Sequence, residues 1–353
     1  MSSRPLISAN AVTTARLLAM PFLAWVIYQG ETGWWWALVV GTIIGCTDFV
    51  DGYLARKHGP TVLGGLLDPI ADKVLIAAWY LPLSDVGVLP AWPVAFLLLR
   101  ETLVTAMRSA FEQRDLRMKT TYLAKVKTWV QMQGLGVAVL MVLLRDSQHI
   151  MTWILGVGAV LPIVVMVPVY FIQKRIFWSA LIMSALQGLV LGLYLTLELQ
   201  AIVLVVLLFI VALTWISGAN YFVVGYPKLR AAGDINSADL VRIIGAVAVP
   251  LAAVLCMTEA SSVNIVAPLG VVVVELAVGG LDNLLSHHRK ASGAASWAGR
   301  VLGSSALLAL AALASMYGYQ QWSLPLAFVG LTISIIGGAS EFWRGRDYYL
   351  DAR

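Results

Sequence analysis

Charge is scarce in this sequence. Asp, Glu, Lys and Arg make up 12% of its 353 residues, against 60% hydrophobic. A soluble domain cannot hide that much apolar side chain, so the composition excludes an ordinary soluble fold and points to a polytopic membrane protein. Cysteine is nearly absent. Cys46 and Cys256 both lie inside apolar runs, which argues against a disulfide framework or a thiolate metal site. A small-x-small cleavage pattern is missing after the first apolar run, which carries Arg4 and Arg16 on its N-terminal side and ends near Ile27. That run is therefore read as the first membrane helix, not a removable signal. The basic surplus is only +5. In a membrane protein it fits loops that face an anionic leaflet, not a nucleic-acid surface.

Apolar runs of spanning length are what the chain has in quantity. Stretches of roughly 18–22 residues recur at about 11–29, 34–54, 68–87, 90–109, 127–144, 151–171, 176–196, 201–224, 239–258, 264–284, 300–318 and 323–342. The expected fold is all-α: a membrane helix bundle of about twelve spans. The thirteen Trp suit its interfaces. Basic residues fall in alternate loops: Arg56 and Lys57; Arg114, Arg117, Lys119 and Lys125; Lys174 and Arg175; Lys228 and Arg230; Arg289 and Lys290. The intervening loops hold Glu31, Asp85, Asp146, Glu198 and Glu259, with Arg145 their one basic residue. The alternation places both termini in the cytoplasm of a cell whose inner membrane holds the chain.

The most informative segment is TDFVDGYLARKHGPTVLGGLLDPIADK, from Thr47 to Lys73. Asp48 and Asp51 close one apolar run, and Asp68 and Asp72 open the next. Spacings of three and four put each pair on one helix face. Two neighbouring helices thus aim four carboxylates at one point on the cytoplasmic side. In apolar surroundings such acids repel and resist desolvation, and a divalent cation relieves both. All-oxygen ligands point to Mg²⁺ or Mn²⁺. Gly52 and Ala55 share the face of Asp48 and Asp51, leaving room for a nucleotide, and Arg56 is placed to meet a phosphate. A blander account makes Asp68 a helix N-cap with Pro69 at the first helical position, and Arg56 and Lys57 interfacial basics. That covers one or two residues, not the set.

The segment resembles the signature of the CDP-alcohol phosphotransferases, D-x2-D-G-x2-A-R-x8-G-x3-D-x3-D. Asp48, Asp51, Gly52, Ala55, Arg56, Gly64, Asp68 and Asp72 match in order. The departure is one residue: seven, not eight, separate Arg56 from Gly64, and counting to Gly65 leaves two before Asp68. Which glycine lines the nucleotide therefore stays open. The resemblance implies transfer of a phosphatidyl group from a CDP-linked lipid to an alcohol, with CMP released. It implies that Asp48, Asp51, Asp68 and Asp72 bind two divalent ions, that Asp72 is the general base, and that Gly52, Ala55, Arg56 and Gly64 hold the cytidine diphosphate. Asn10 and Pro21 fit the family's usual first helix.

Residues 100–134 bear on the acceptor. Arg100-Glu101, Arg108 and Lys125-x-Lys127-Thr128-x2-Gln131 look like the phosphatidylglycerophosphate synthases. That resemblance implies CDP-diacylglycerol as donor and sn-glycerol 3-phosphate as acceptor. Arg108 and Lys127, with Lys125 behind them, are the expected partners of its dianionic phosphate; the alternative is that these basics merely meet lipid headgroups. Arg100 and Glu101 are read as an internal ion pair. Other acceptors within the same chemistry are phosphatidylglycerol, giving cardiolipin, or a polyol phosphate. Readings outside it are a twelve-helix transporter, disfavoured because the acids cluster at the ends of one half, and an inactive scaffold.

The second half echoes the first. SANAVTTARLLAMP at 8–21 aligns with SADLVRIIGAVAVP at 237–250, setting Asp239 opposite Asn10. Gly279 then falls at Asp48, Asp282 at Asp51, Asn283 at Gly52, Ser286 at Ala55 and His287 at Arg56; Gly299, Gly303 and Leu307 fall at Gly64, Asp68 and Asp72. A motif TWISGANYFVVG at 214–225 is echoed by SIIGGASEFWRG at 334–345. The division expected is a catalytic domain at 1–226 and an inert repeat at 237–353, and the resemblance implies either a homodimer, common in the family, or an internal pseudo-dimer in which the repeat packs where a second subunit would sit. His287, His288, Arg289 and Lys290 are read as loop residues near headgroups, and Glu275 is left unassigned.

Overall fold

The computed structural model describes residues 8–59, 61–116, 122–174, 178–233, 236–287 and 294–351. They form α1 (Ala9–Ile27), α2 (Gly30–His58), α3 (Val62–Asp85), α4 (Ala91–Glu112), α5 (Tyr122–Leu143), α6 (Gln148–Gln173), α7 (Trp178–Thr196), α8 (Leu199–Asn220), a π-helical turn (Tyr221–Gly225), α9 (Tyr226–Ala231), α10 (Ser237–Glu259), α11 (Val266–His287), α12 (Ala294–Met316) and α13 (Gln320–Asp351). No strand occurs among the described residues. Because α8, the π turn and α9 are one rod, the twelve anticipated spans are all present as helices. The chain is an all-α polytopic membrane bundle.

Nine helices among the described residues are long and apolar enough to cross a membrane. The central pair, α3 and α4, falls outside that set for a physical reason. Asp68, Asp72 and Lys73 interrupt α3, and Arg100, Glu101 and Arg108 interrupt α4. Both are buried along most of their length, with Ala71, Tyr80, Leu97 and Leu98 fully enclosed. Charges on such helices are shielded from lipid by their neighbours.

Helix α3 starts earlier than the pattern suggests. Thr61 is its N-cap, its Oγ1 accepting from Gly64 N at 2.9 Å. Pro69 is inside the helix, so Asp68 is not a cap and its carboxylate is left for other work. The cap wins because Thr61 has the extended backbone and side-chain oxygen that a first turn needs. A proline inside a membrane helix is tolerated when neighbours satisfy the freed carbonyl.

The chain packs as two compact units, Met1–Lys127 with Val211–Arg353, and Thr128–Ile210. In the first, α1 packs against α2 and α3, and the α10–α13 group packs against α3 and α4 through α10 and α11. Close approaches are made at glycines. A Cβ on Gly41 of α2 would meet the Trp79 indole at 2.5 Å, and one on Gly280 of α11 would meet Ile70 at 2.5 Å. In the second unit α6 packs on α7, and Ser184 donates across that pair to the Ala159 carbonyl. Most of α6 is left exposed, as a lipid-facing helix requires.

Candidate active site

Helix α1 contributes two side chains that gather the acids of α2 and α3. Arg16 Nη1 lies 3.1 Å from Asp48 Oδ1 and 3.3 Å from Asp72 Oδ1, and its Nη2 lies 3.0 Å from Asp51 Oδ2. Thr13, one turn earlier, sets its Oγ1 3.0 Å from both Asp51 Oδ2 and Asp68 Oδ1. The two are three residues apart and so share a helix face. The four acids named from sequence therefore meet at one place, joined through residues that the signature does not contain.

The cluster is closed at its base and open at its mouth. Asp51 is 3% exposed, whereas the Asp48 and Asp72 side chains are 52% and 49% exposed. Four carboxylates against one guanidinium leave a surplus of negative charge in a poorly solvated place. A pair of dications fits that surplus, and the donors are all oxygens, the chemistry of hard ions. As the side chains stand, the guanidinium occupies the centre, and no three acids, His or Cys among the described residues are spaced to hold an ion.

The nucleotide candidates line the open side. Gly52 and Ala55 are half-buried one and two turns beyond Asp48, and Arg56 is exposed. A Cβ on Gly52 would meet only Arg56 Nη1, at 3.5 Å, so the backbone there is accessible. The two candidate glycines of α3 differ. A Cβ on Gly64 would press on Asn10 Oδ1 and Thr61 Oγ1 at 3.0 Å each, while Gly65 faces open space. Thr61 Oγ1 donates to Asn10 Oδ1 at 2.9 Å. Gly64 thus lets the α1 and α3 starts close together, which gives Asn10 its role.

The acceptor candidates group beside Asp72. Lys73 feels the charges of Glu101, Arg108, Lys127 and Asp72, and Lys127 those of Glu101, Arg100 and Asp72. Arg108 donates to Tyr221 Oη at 3.0 Å through Nη2 and 3.3 Å through Nε. Lys127 pairs with Glu101, which also receives Arg100 Nη1 at 3.1 Å. Arg100 and Glu101 are thus the internal pair expected, with Ser217 Oγ 2.8 Å from Arg100 Nη2 as an added anchor. The side chain of Lys125 lies outside the described residues, as do Arg4, Arg117, Lys119, Arg175, His288, Arg289 and Lys290.

Sequence reasoning missed Thr13, Arg16, Lys73 and Tyr221. Arg16 carried a signal: a lone charge midway along an otherwise apolar span rarely stands without a partner. Lys73 directly follows Asp72, a charge deep in an apolar helix. Tyr221 lies in the π turn, where the rod packs on α4: a Cβ on Gly225 would meet Phe111 at 2.5 Å. Such turns often mark functional positions. Glu275 is placed too. It pairs with Arg300 at 2.8 Å, joining α11 to α12, and lines a small cavity with Thr102 and Thr105 of α4. His287 Nδ1 lies 2.8 Å from Glu112 Oε2 of α4, a tie between helices.

Comparison with known proteins agrees with this geometry. The family model described as CDP-alcohol phosphatidyltransferase matches residues 6–164, which contain all four acids. The CDP-diacylglycerol–glycerol-3-phosphate 3-phosphatidyltransferase of Cereibacter sphaeroides is 34% identical over 154 residues, 41% of this chain and 70% of the relative. The enzyme of that name from Rickettsia bellii is 34% identical over 136 residues, 37% of this chain and 74% of the relative. A cardiolipin synthase (CMP-forming) of Streptomyces coelicolor is 36% identical over 111 residues, 30% of this chain and 52% of the relative. No solved structure matches the chain significantly. With the signature, the convergent acids and relatives matched over most of their length, the chain belongs to the CDP-alcohol phosphatidyltransferase family.

Proposed function

We propose that this phosphatidyltransferase moves the phosphatidyl group of CDP-diacylglycerol to sn-glycerol 3-phosphate, giving phosphatidylglycerophosphate and CMP. The observation that carries the reading is the juxtaposition of four convergent acids with the Lys73–Arg108–Lys127 group beside Asp72. The acids suit a diphosphate carried by metal ions. The cations suit an acceptor that is itself a phosphate dianion.

Asp48, Asp51, Asp68 and Asp72 would hold two divalent ions, Mg²⁺ or Mn²⁺, which when bound would supply positive charge to the diphosphate. Arg16 and Thr13 fix Asp51 and orient the other three acids. Gly52 and Ala55 give the cytidine diphosphate access to the α2 backbone, and Arg56 meets its phosphate. Arg108, held by Tyr221, and Lys127, held by Glu101, receive the acceptor phosphate with Lys73 between them. Asp72 is exposed at the mouth and takes the proton of the acceptor hydroxyl as its oxygen bonds to the lipid-side phosphorus. The bridging P–O bond breaks and CMP carries away its electron pair. The end of α2 that follows Asp48 and Asp51 carries Arg56 and Lys57, and by the positive-inside rule this supports placing the site toward the cytoplasmic face of an inner membrane.

We further propose that residues 237–353 are an inert repeat serving as an internal partner for residues 1–226. Gly279, at the Asp48 position, packs on Thr105, and Asp282, at the Asp51 position, is bound by Arg242. Each half has an internal guanidinium, but Arg16 meets three acids of α2 and α3 in the first half, whereas the second keeps only Asp282 at the four positions.

Purified protein given CDP-diacylglycerol, Mn²⁺ and a panel of acceptors tests the function. Glycerol 3-phosphate is expected to release CMP, and Asp72→Asn to lower the rate by about 10³-fold or more. Arg108→Ala is expected to raise KM for glycerol 3-phosphate by about 10- to 100-fold, the loss of a charge-assisted hydrogen bond. Release with phosphatidylglycerol alone contradicts the acceptor assignment.

A further inference from the structure

The ion network of the second half ends on the helix that carries Arg108. Arg114 closes the C-terminus of α4: its Nη1 donates to the Ala110 carbonyl at 3.1 Å, and its Nη2 meets Asp239 Oδ2 at 2.6 Å. Asp239 is fully buried in the first turn of α10, where it forms a capping box with Asn236. Its other oxygen takes Arg242 Nη1 at 3.0 Å, and Arg242 in turn grips Asp282 of α11 with Nε at 2.8 Å and Nη2 at 3.1 Å. Two neighbouring ties run parallel: Gln113 Nε2 to Ser286 Oγ at 3.1 Å, and Glu112 to His287.

Every second-half member of this network stands opposite a residue of the first half. Asp239 stands opposite Asn10, Arg242 opposite Thr13, Asp282 opposite Asp51, Ser286 opposite Ala55 and His287 opposite Arg56. In the first half these positions gather acids for a cation and present a nucleotide face. In the second half the guanidinium comes from Arg242, at the Thr13 position, in place of Arg16, and Ser286 and His287, at the nucleotide positions, bond to Gln113 and Glu112 instead. Arg108 is in the last two turns of α4, and Arg114 lies in the turn that follows its C-cap Gln113.

We propose that the Arg114–Asp239–Arg242–Asp282 network is a positioning device for the acceptor subsite. It sets the rotation and height of the cytoplasmic end of α4, and through them the reach of Arg108 toward the acceptor phosphate. The metal and nucleotide residues are on α1, α2 and α3, whereas the ion pairs and hydrogen bonds of this network described above join α10 and α11 to the end of α4. This inference rests on the proposed acceptor chemistry, since it assigns Asp239 and Arg114 a task in acceptor binding.

The test is a steady-state comparison of the full chain with Arg114→Gln, Asp239→Asn and Asp239→Glu. Both substrates are varied, and CDP-diacylglycerol binding in Mn²⁺ reports an intact fold. Arg114→Gln leaves the buried Asp239–Arg242 pair in place, so it remains informative if Asp239→Asn fails to fold. The expected result is an acceptor KM raised about tenfold in Arg114→Gln and Asp239→Asn, with kcat and the CDP-diacylglycerol KM within about threefold of wild type. Asp239→Glu, which keeps the carboxylate, is expected to recover most of the shift, and the Arg114→Gln/Asp239→Asn pair to shift no further than either alone. An unchanged acceptor KM in Arg114→Gln overturns the proposal. So does a loss shared equally by both substrates, which is the mark of a merely structural tie. If the wild-type chain uses a different acceptor, the choice of glycerol 3-phosphate falls and the shift is read for that acceptor. A wild type inactive with every acceptor overturns both readings.

Discussion

Thr13 Oγ1 has one proton and two carboxylates at 3.0 Å, and Arg16 has one charge for three acids. At the scale of residues the site is therefore incomplete without further positive charge. The consequence is testable by unfolding. Arg16→Met leaves Asp51 buried without its cation, a defect of about 3–5 kcal/mol. Added Mn²⁺ is expected to restore much of that loss, so the stabilisation by Mn²⁺ in a thermal unfolding assay should be larger in Arg16→Met than in wild type. An equal increment in both contradicts the view that Arg16 and the ions neutralise the same acids. The four Asp were legible in sequence because their spacing alone puts them on converging faces. Thr13 and Arg16 were not, because the partners that give them meaning lie at least 32 residues away.

At the scale of elements, every span was legible, since spanning length and apolarity are local properties. The start of α3 was not: the Thr61 cap and Pro69 compete as helix-start signals, and only the packed structure shows which prevails. The fit of the π turn on α4 was hidden for a similar reason. Gly225 has its purpose in the Phe111 ring that faces it, and Tyr221 in Arg108. Gly225→Ala forces a methyl group into that ring and is expected to lower stability by about 1–3 kcal/mol, with the acceptor KM rising as Tyr221 shifts. Calorimetry and CMP release on one preparation check both effects. A silent Gly225→Ala shows that the contact does not set the subsite.

At the scale of the molecule, the internal echo was readable as an alignment, but its use was not. Alignment shows three of the four acids replaced by Gly279, Gly303 and Leu307. The structure adds that α10 and α11 lie against α3 and α4, with Gly280 on Ile70 and Arg242 in the grip of Asp282. A chain that covers those helices with its own second half has no need of another copy there, so the purified protein is expected to be monomeric by light scattering in detergent. A stable dimer joined through α3 and α4 contradicts the pseudo-dimer. The central claim is that the acids of α2 and α3 hold divalent ions beside the acceptor cations. Its most direct measurement is Mn²⁺ binding by electron paramagnetic resonance on purified protein with CDP-diacylglycerol. Two bound ions per chain are expected, lost in Asp68→Asn and Asp51→Asn. Binding that survives both substitutions contradicts it.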